Sequence, residues 1–375
     1  MKNRIVFFSG GNSSFAVADF VKTSFPNDNI VLYFTDTNVE NYNLYRFIYE
    51  VSDKLKLPML IHSTGLTPLQ LMFEKKMVYN NRIGDCSKYL KMKVASDFLK
   101  KGIKPNYEKW YNHEYLKDDN FVTDATLYWG IDFMETHRAE PITKNWKPFE
   151  SSFPLIDNFI DHYEVLDRHS IKECFLYSIG ASHNNCNMKC VKAGMSHYKL
   201  YAQKMPEEFQ KHVEEEHYLK LYVSSYRYIK DIESDGRDGW DEDVRQQLFH
   251  ELDNAYRDYF YGRAKKPKIY VHPCATATVE YKEKKHYCFV YNKNEQSIRR
   301  KVFRTYLKPS TEHMFIKQYA FMKRNGKPYP LTQFVKDLRV NPQKIDPHSH
   351  GGCGCFTDYS STMTSNENEQ LTLAI

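Results

Sequence analysis

The chain has 375 residues, 41% of them apolar, and a formal charge of +6 from 53 Lys and Arg against 47 Asp and Glu. No apolar run reaches the roughly 18 residues that a membrane-spanning helix needs, and the mild positive charge suits a polyanionic ligand such as a nucleotide without demanding nucleic acid. The length predicts about two domains, and a chain that enters a strand at once leaves no room for a signal peptide, so a cytoplasmic location is expected.

Arg4 to Phe8 reads as a buried strand, and Phe15-Ala16-Val17-Ala18-Asp19-Phe20-Val21 carries apolar residues at helical spacing, within a helix from about Ser14 to Ser24. Between them lies Ser9-Gly10-Gly11-Asn12-Ser13-Ser14. A strand, a tight glycine turn and a helix N-terminus gather unpaired backbone N–H groups and hydroxyls around one point, which suits a phosphate or pyrophosphate. Taken alone, the segment also fits an ordinary strand-to-helix turn. A second strand, Ile30 to Phe34, ends in Thr35-Asp36-Thr37. In open α/β sheets ligands sit beyond the carboxyl ends of strands, so Asp36 is a candidate for an adenine amino group or a ribose hydroxyl, or else a helix cap.

A helix from about Asn41 to Leu55, a strand Met59 to His62, a helix Leu66 to Lys76 and another from Lys88 to Lys100 follow. Arg82, Cys86, Lys88 and Lys91 cluster before and within the last of these. They could meet phosphate or sulfate oxygens, or form a solvated basic face. Thr126 to Ile131 reads as a strand, and the loop beyond it carries Asp132, Glu135, His137 and Arg138. Arg138 could hold a phosphate and Glu135 could ligate magnesium, the alternative being a solvated charged loop. The alternation of strands and helices predicts an α/β fold with a Rossmann-like parallel sheet.

Of eight cysteines, four form two close pairs, Cys186-x-x-x-Cys190 and Cys353-x-Cys355. An intracellular chain argues against a disulfide framework. With His183 near the first pair and His348 and His350 near the second, the four thiols could bind zinc or an iron–sulfur cluster. Reduced cysteines or a redox dithiol remain the alternative. Lys268 to Tyr291 alternates apolar and polar residues as antiparallel strands do. A domain boundary is expected near Asp235-Gly236, giving a nucleotide domain over 1–235, a smaller α+β substrate and metal region over 236–358, and a disordered tail over 359–375 rich in Ser, Thr, Asn and Glu.

In order, Ser9-Gly10-Gly11-Asn12-Ser13-Ser14, Asp36-Thr37, Cys86-Ser87-x-x-Leu90-Lys91, Gly130-Ile131…Glu135…Arg138, Phe153-Pro154-Leu155-Ile156 and Leu176-Tyr177-x-x-Gly180…Cys186-x-x-x-Cys190 resemble the PP-loop superfamily of adenine-nucleotide α hydrolases, and within it the branch around phosphoadenosine-phosphosulfate (PAPS) reductase. The resemblance covers roughly residues 1–200. It implies a HUP-type nucleotide-binding fold, a first loop gripping pyrophosphate or a terminal phosphate, and Asp36 near adenosine. It also implies one of two activities, cleavage of ATP with magnesium to adenylate an acceptor, or reduction of a sulfonucleotide. Two positions depart from the pattern. Ser13 stands where ATP-cleaving members carry a magnesium-holding Asp, a role Glu135 would have to take. Gly352-Cys353-Gly354-Cys355-Phe356 replaces the Glu-Cys-Gly-Leu-His-like end of the reductases.

The function expected is ATP-dependent adenylation, with Arg82, Lys88, Lys91, Glu135 and Arg138 serving catalysis. A tRNA or DNA acceptor would account for the excess of Lys and Arg, including Arg299-Arg300-Lys301. The alternatives are sulfonucleotide-reductase thiol chemistry through Cys353 or Cys355, and an inactive module that binds nucleotide or nucleic acid.

Overall fold

A computed structural model describes residues 1–234, 242–268 and 319–341, and the backbone of four short strand segments between 279 and 300. Its centre is a six-stranded sheet in the order β4-β3-β2-β1-β5-β6. The strands are β1 (Asn3–Phe7), β2 (Asn29–Thr35), β3 (Met59–Ser63), β4 (Tyr107–Tyr111), β5 (Thr126–Trp129) and β6 (Glu150–Ser152). All neighbours pair in parallel except β3 and β4, which are antiparallel.

The strand sequences explain why both faces are covered. Val6, Ile30, Leu32, Phe34, Met59, Ile61 and Tyr128 enter one core, and Ile5, Phe7, Val31, Tyr33, Leu60, Leu127 and Trp129 enter another. Strands apolar on both faces must be sandwiched between helices. Helices α1 (Asn12–Ser24), α2 (Tyr42–Leu55) and a later helix, His162–His169, contribute to the first core. The second takes Ala95 and Leu99 from the helix Lys93–Lys101 and Ile142 from the helix Ala139–Asn145. The edge strand β4 was not expected, because Tyr107, Glu108 and Lys109 are exposed and the segment shows no alternation.

In chain order the remaining helices are α3 (Pro68–Glu74), α4 (Lys93–Lys101), α5 (Ala139–Asn145), α6 (Pro154–Asp157), α7 (His162–His169), α8 (Phe175–Ser178), α9 (Met195–Lys204), α10 (Pro206–Ser234), α11 (Glu242–Phe260) and α12 (Leu331–Val340). α3 opens on a capping box in which Thr67 and Gln70 bond each other's backbone N–H groups, and starts two residues later than the apolar spacing suggests because Pro68 takes the first helical turn. The helix expected from Lys88 instead begins with a π-helical turn, Lys88–Met92, that runs into α4.

A third core joins α3, α9, α10, α11 and α12 through Phe73, Tyr198, Tyr201, Tyr222, Tyr256 and Phe334. Glu216, buried on α10, accepts the N–H groups of Phe321 and Leu331 at 2.8 and 2.7 Å. The boundary expected near Asp235-Gly236 lies outside the described residues, and the helices on either side of it share this core. A short antiparallel pair, Val279–Tyr281 with Lys284–His286, lies within the stretch where alternation pointed to strands, and a second, Phe289–Asn292 with Ser297–Arg300, runs past its end. Cys353, Cys355, His348, His350, Lys301 and the tail lie outside the described residues. No helix among the described residues is long and apolar enough to cross a membrane.

Candidate nucleotide site

The chain builds outward from β1 through β2 and β3, then returns to the other edge of β1 with β5. Such a reversal of strand order opens a crevice beyond the carboxyl ends of the strands. A cavity of about 310 Å³ occupies it here, within the range that small-molecule sites span. Phe7, Ser9, Gly11, Ser13 and Ser14 line one side, Trp129, Gly130, Ile131, Asp132, Glu135 and Arg138 another, and Lys91, Tyr177, Ser182, His183 and Asn185 close it.

The loop after β1 is held from outside the cavity. Gly10 sits at φ +77°, and a Cβ there would lie 2.9 Å from Leu44 Cγ, so glycine is required by both conformation and space. Asn184 Nδ2 donates to the Gly10 carbonyl at 3.1 Å, and the Cys174 thiol lies 3.7 Å from the same oxygen. Burial pushes that thiol up to about 12, so it stays protonated and available as a donor. α1 has no side-chain cap. The Ser14 hydroxyl is spent on the Gly11 carbonyl at 2.8 Å. The first turn of α1, whose Ser13 and Ser14 line the cavity, thus has no side-chain cap among the described residues, and the positive end of the helix dipole lies there.

Lys91 supplies the buried cation. The π-helical turn Lys88–Met92 carries it, and its side chain is 4% exposed, with Nζ 3.9 Å from Glu40 Oε1. Inserted turns of this kind recur at functional sites. Glu40 is itself fully buried. Burial raises its pKa, opposed by Lys91, by a hydrogen bond from the Thr37 hydroxyl at 2.7 Å and by one from the Cys186 N–H. Arg138 pairs with Glu135 across the 3₁₀ turn Phe133–Arg138, and Asp132 caps that turn by accepting the Met134 N–H at 2.9 Å.

The two cations of the lining are thus matched by two carboxylates. An anion would be met by the helix N-terminus and the hydroxyls together with Lys91 and Arg138, and Asp132 and Glu135 are the oxygen donors the lining could offer a magnesium ion. His183 has neither ring nitrogen hydrogen-bonded among the described residues. Burial, with His197 and Lys91 nearby, pushes its imidazole from 6.5 down to about 3. It is neutral at physiological pH, with one donor and one acceptor to offer a ligand.

Several candidates lie elsewhere. Asp36 follows β2, where its carboxylate accepts the Asn38 N–H at 2.7 Å and the Tyr45 hydroxyl at 2.9 Å, and it does not line the cavity. Gly10 and Asn12 are buried in the loop and do not line the cavity. Arg82 is exposed beside the hairpin of Met322–Arg324 and Lys327–Tyr329. Lys88 lies with Nζ 5.3 Å from the Tyr89 ring. Neither joins Lys91, since the π-helical turn buries Leu90, Lys91 and Met92 and leaves Lys88 half-buried, and Arg82 precedes that turn. His137 is exposed, and Cys86 packs beside the third core.

Cys186 and Cys190 are buried and form no disulfide among the described residues. Cys186, Asn187 and Met188 all have positive φ, at 59°, 44° and 66°. Successive left-handed residues are strained and persist only where surroundings hold them. Here Glu40 takes the Cys186 N–H, and Asn41 Nδ2 donates to Asn187 Oδ1 at 2.9 Å. Among the described residues no three His, Cys, Asp or Glu side chains are placed to hold a metal. Two thiols supply half of a four-thiolate site, with Cys353 and Cys355 outside the described residues. Glu40 carried no signal in the sequence, since Lys91 and the Cys186 N–H that meet it are remote along the chain.

Comparison of the chain with protein-family models, curated proteins and solved structures found no match.

Proposed function

We propose that the crevice binds the phosphates of an adenine nucleotide, and that the chain is a PP-loop enzyme that cleaves ATP to AMP and pyrophosphate to adenylate an acceptor. The observation that carries this reading is the uncapped N-terminus of α1 at the strand-order reversal, with buried Lys91 facing it across one cavity. In the step proposed, an acceptor oxygen attacks the α-phosphorus, and a new P–O bond forms as the bond to the bridging α–β oxygen breaks. Pyrophosphate leaves and the acceptor's proton passes to solvent. Ser9, Ser13 and the α1 amides would hold the departing pyrophosphate, while Lys91 and Arg138 spread its charge, so catalysis is largely positioning and electrostatic. Magnesium at Asp132 and Glu135 would neutralise phosphate charge. Zinc or an iron–sulfur cluster at Cys186, Cys190, Cys353 and Cys355 would have a structural role, and a tRNA or DNA acceptor fits the net positive charge.

Ser13, where a carboxylate would serve magnesium, favours a second reading. In it a thiolate of Cys353 or Cys355 attacks the sulfonate sulfur of PAPS, forming an S-sulfocysteine and releasing adenosine 3′,5′-bisphosphate. Titration with ATP plus magnesium, and with PAPS, separates the two. ATP binding with pyrophosphate release, lost in Ser9→Ala and Arg138→Ala, supports adenylation. PAPS binding alone supports thiol chemistry, and binding of neither leaves an inactive module.

A further inference from the structure

Gly11 lines the cavity beyond β1, whereas Gly10, Cys174 and Asn184 do not. The peptide between Gly10 and Gly11 is trans, so its carbonyl and its N–H point in opposite directions. The carbonyl is held away from the lining, by Asn184 Nδ2 at 3.1 Å and by the Cys174 thiol at 3.7 Å. The Gly11 N–H is thereby turned toward the cavity. Among the described residues it donates to no protein acceptor.

Glycine on both sides of a peptide removes the Cβ contacts that usually oppose its rotation. A half-turn would point the carbonyl oxygen, rather than the N–H, at an anion in the cavity. The orientation therefore rests on what holds the carbonyl. A thiol is a weak donor and a side-chain amide a full one, so Asn184 carries most of that hold. Asn184 is 2% exposed and its Oδ1 has no hydrogen-bond partner among the described residues, so what the amide holds, it holds through Nδ2. Two hydroxyls share the approach to Gly11. A Cβ there would lie 2.9 Å from the Tyr177 hydroxyl and 3.6 Å from Ser9 Oγ, and both residues line the cavity. Ser9, Gly11 and Tyr177 are each half-buried, so the point they surround is open to a ligand.

We propose that Asn184 is a positioning residue of the anion site. By holding the Gly10 carbonyl it aims the Gly11 N–H into the cavity, where that N–H, Ser9 Oγ and the Tyr177 hydroxyl together donate to a phosphate group. This role rests on the cavity taking phosphate, and it adds the Gly11 N–H and Tyr177 to the groups that hold it. Preset donors of this kind need no rearrangement when the anion arrives.

The test uses the intact chain with isotope-labelled glycine, titrated with inorganic pyrophosphate while the glycine amide signals are followed by NMR. In the wild type, pyrophosphate should bind at one site and move the Gly11 amide proton downfield, as a new hydrogen bond does. Asn184→Leu fills nearly the same space without a donor. It should weaken that binding by about tenfold and shrink the Gly11 shift, with cooperative melting retained. Cys174→Ser keeps a donor beside the carbonyl and should bind as the wild type does. Tyr177→Phe should weaken binding by about threefold or more and leave the Gly11 shift in place. A Gly11 signal unmoved at saturating pyrophosphate would overturn the proposal without any variant, as would full affinity in a folded Asn184→Leu. Neither result touches ATP binding by the cavity. Pyrophosphate binding of the expected kind without ATP binding would instead overturn the ATP reading and leave Asn184 in its role. No pyrophosphate binding by the wild type would overturn the role of Asn184 whether or not ATP binds.

Discussion

Lys91 and Glu40 meet with side chains 4% and 0% exposed. Removing one partner of a buried pair strands the other charge, at about 3–5 kcal/mol. Lys91→Met is therefore expected to lower unfolding stability by about 3 kcal/mol at pH 8 in a urea titration. Without Lys91 the Glu40 pKa rises further, so protonation relieves the penalty sooner and the gap from wild type should narrow toward pH 5. A gap that widens with acid would contradict this pairing. His183 gives a second pH signature. Its folded pKa lies near 3 and its ordinary value is 6.5, so the unfolded chain takes up a proton over that interval and the folded chain does not. The stability it contributes is present above about pH 6.5 and is lost as pH falls toward 3. His183→Gln should flatten that limb of a stability–pH profile, and an unchanged slope would mean that the imidazole is not held neutral.

Two glycines fix how α1 meets the sheet. A Cβ at Gly10 would press on Leu44 and Ile48, and one at Gly130 would come within 3.0 Å of the Ser14 backbone. Backbone cannot swing aside as a side chain can, so Gly130→Ala must move β5 away from α1. Each alanine variant is expected to cost about 1–3 kcal/mol, and Gly130→Ala should also weaken nucleotide binding because it widens the cavity between Ser14 and Ile131. Stability unchanged by circular dichroism melts would contradict that contact. At this scale the sequence was informative wherever burial was two-sided. Val6 to Phe8, Ile30 to Phe34 and Met59 to Ile61 are continuous apolar runs, and the loop after β1 was visible from its glycines. β4 and β6 were not legible, because Tyr107–Tyr111 is an exposed edge and Glu150–Ser152 is three polar-ended residues held by pairing with β5. The π-helical turn was equally hidden, and with it the reason Lys91 enters the cavity while Lys88 does not.

At the scale of the whole molecule, the third core ties residues on both sides of position 235. Leu219 and Tyr222 of α10 pack in one cluster with Leu252, Tyr256 and Phe260 of α11 and with Phe321 and Phe334. A fragment ending at residue 234 would expose that cluster, and is expected to lose cooperative unfolding or to aggregate. A fragment that melts as sharply as the full chain would show that the first 234 residues fold alone. The change in composition after about Asp231 suggested a boundary near Asp235-Gly236, but composition does not register which faces of two helices pack together. The candidate site divides in the same way. The loop after β1 is local and its glycine turn was readable, whereas Lys91, Glu40 and His183 come together only through the sheet and the strained turn at Cys186–Met188.

The crevice at the carboxyl ends of β1 and β5 is proposed to take the phosphates of ATP. Its most direct test is calorimetric titration of the intact protein with ATP plus magnesium, alongside Ser9→Ala and Arg138→Ala variants confirmed as folded. Saturable binding at one site in the wild type, weakened at least tenfold in both variants, is the expected result, a change of about 1.4 kcal/mol or more. Absence of ATP binding by the wild type, or binding that both variants retain unchanged, would contradict it.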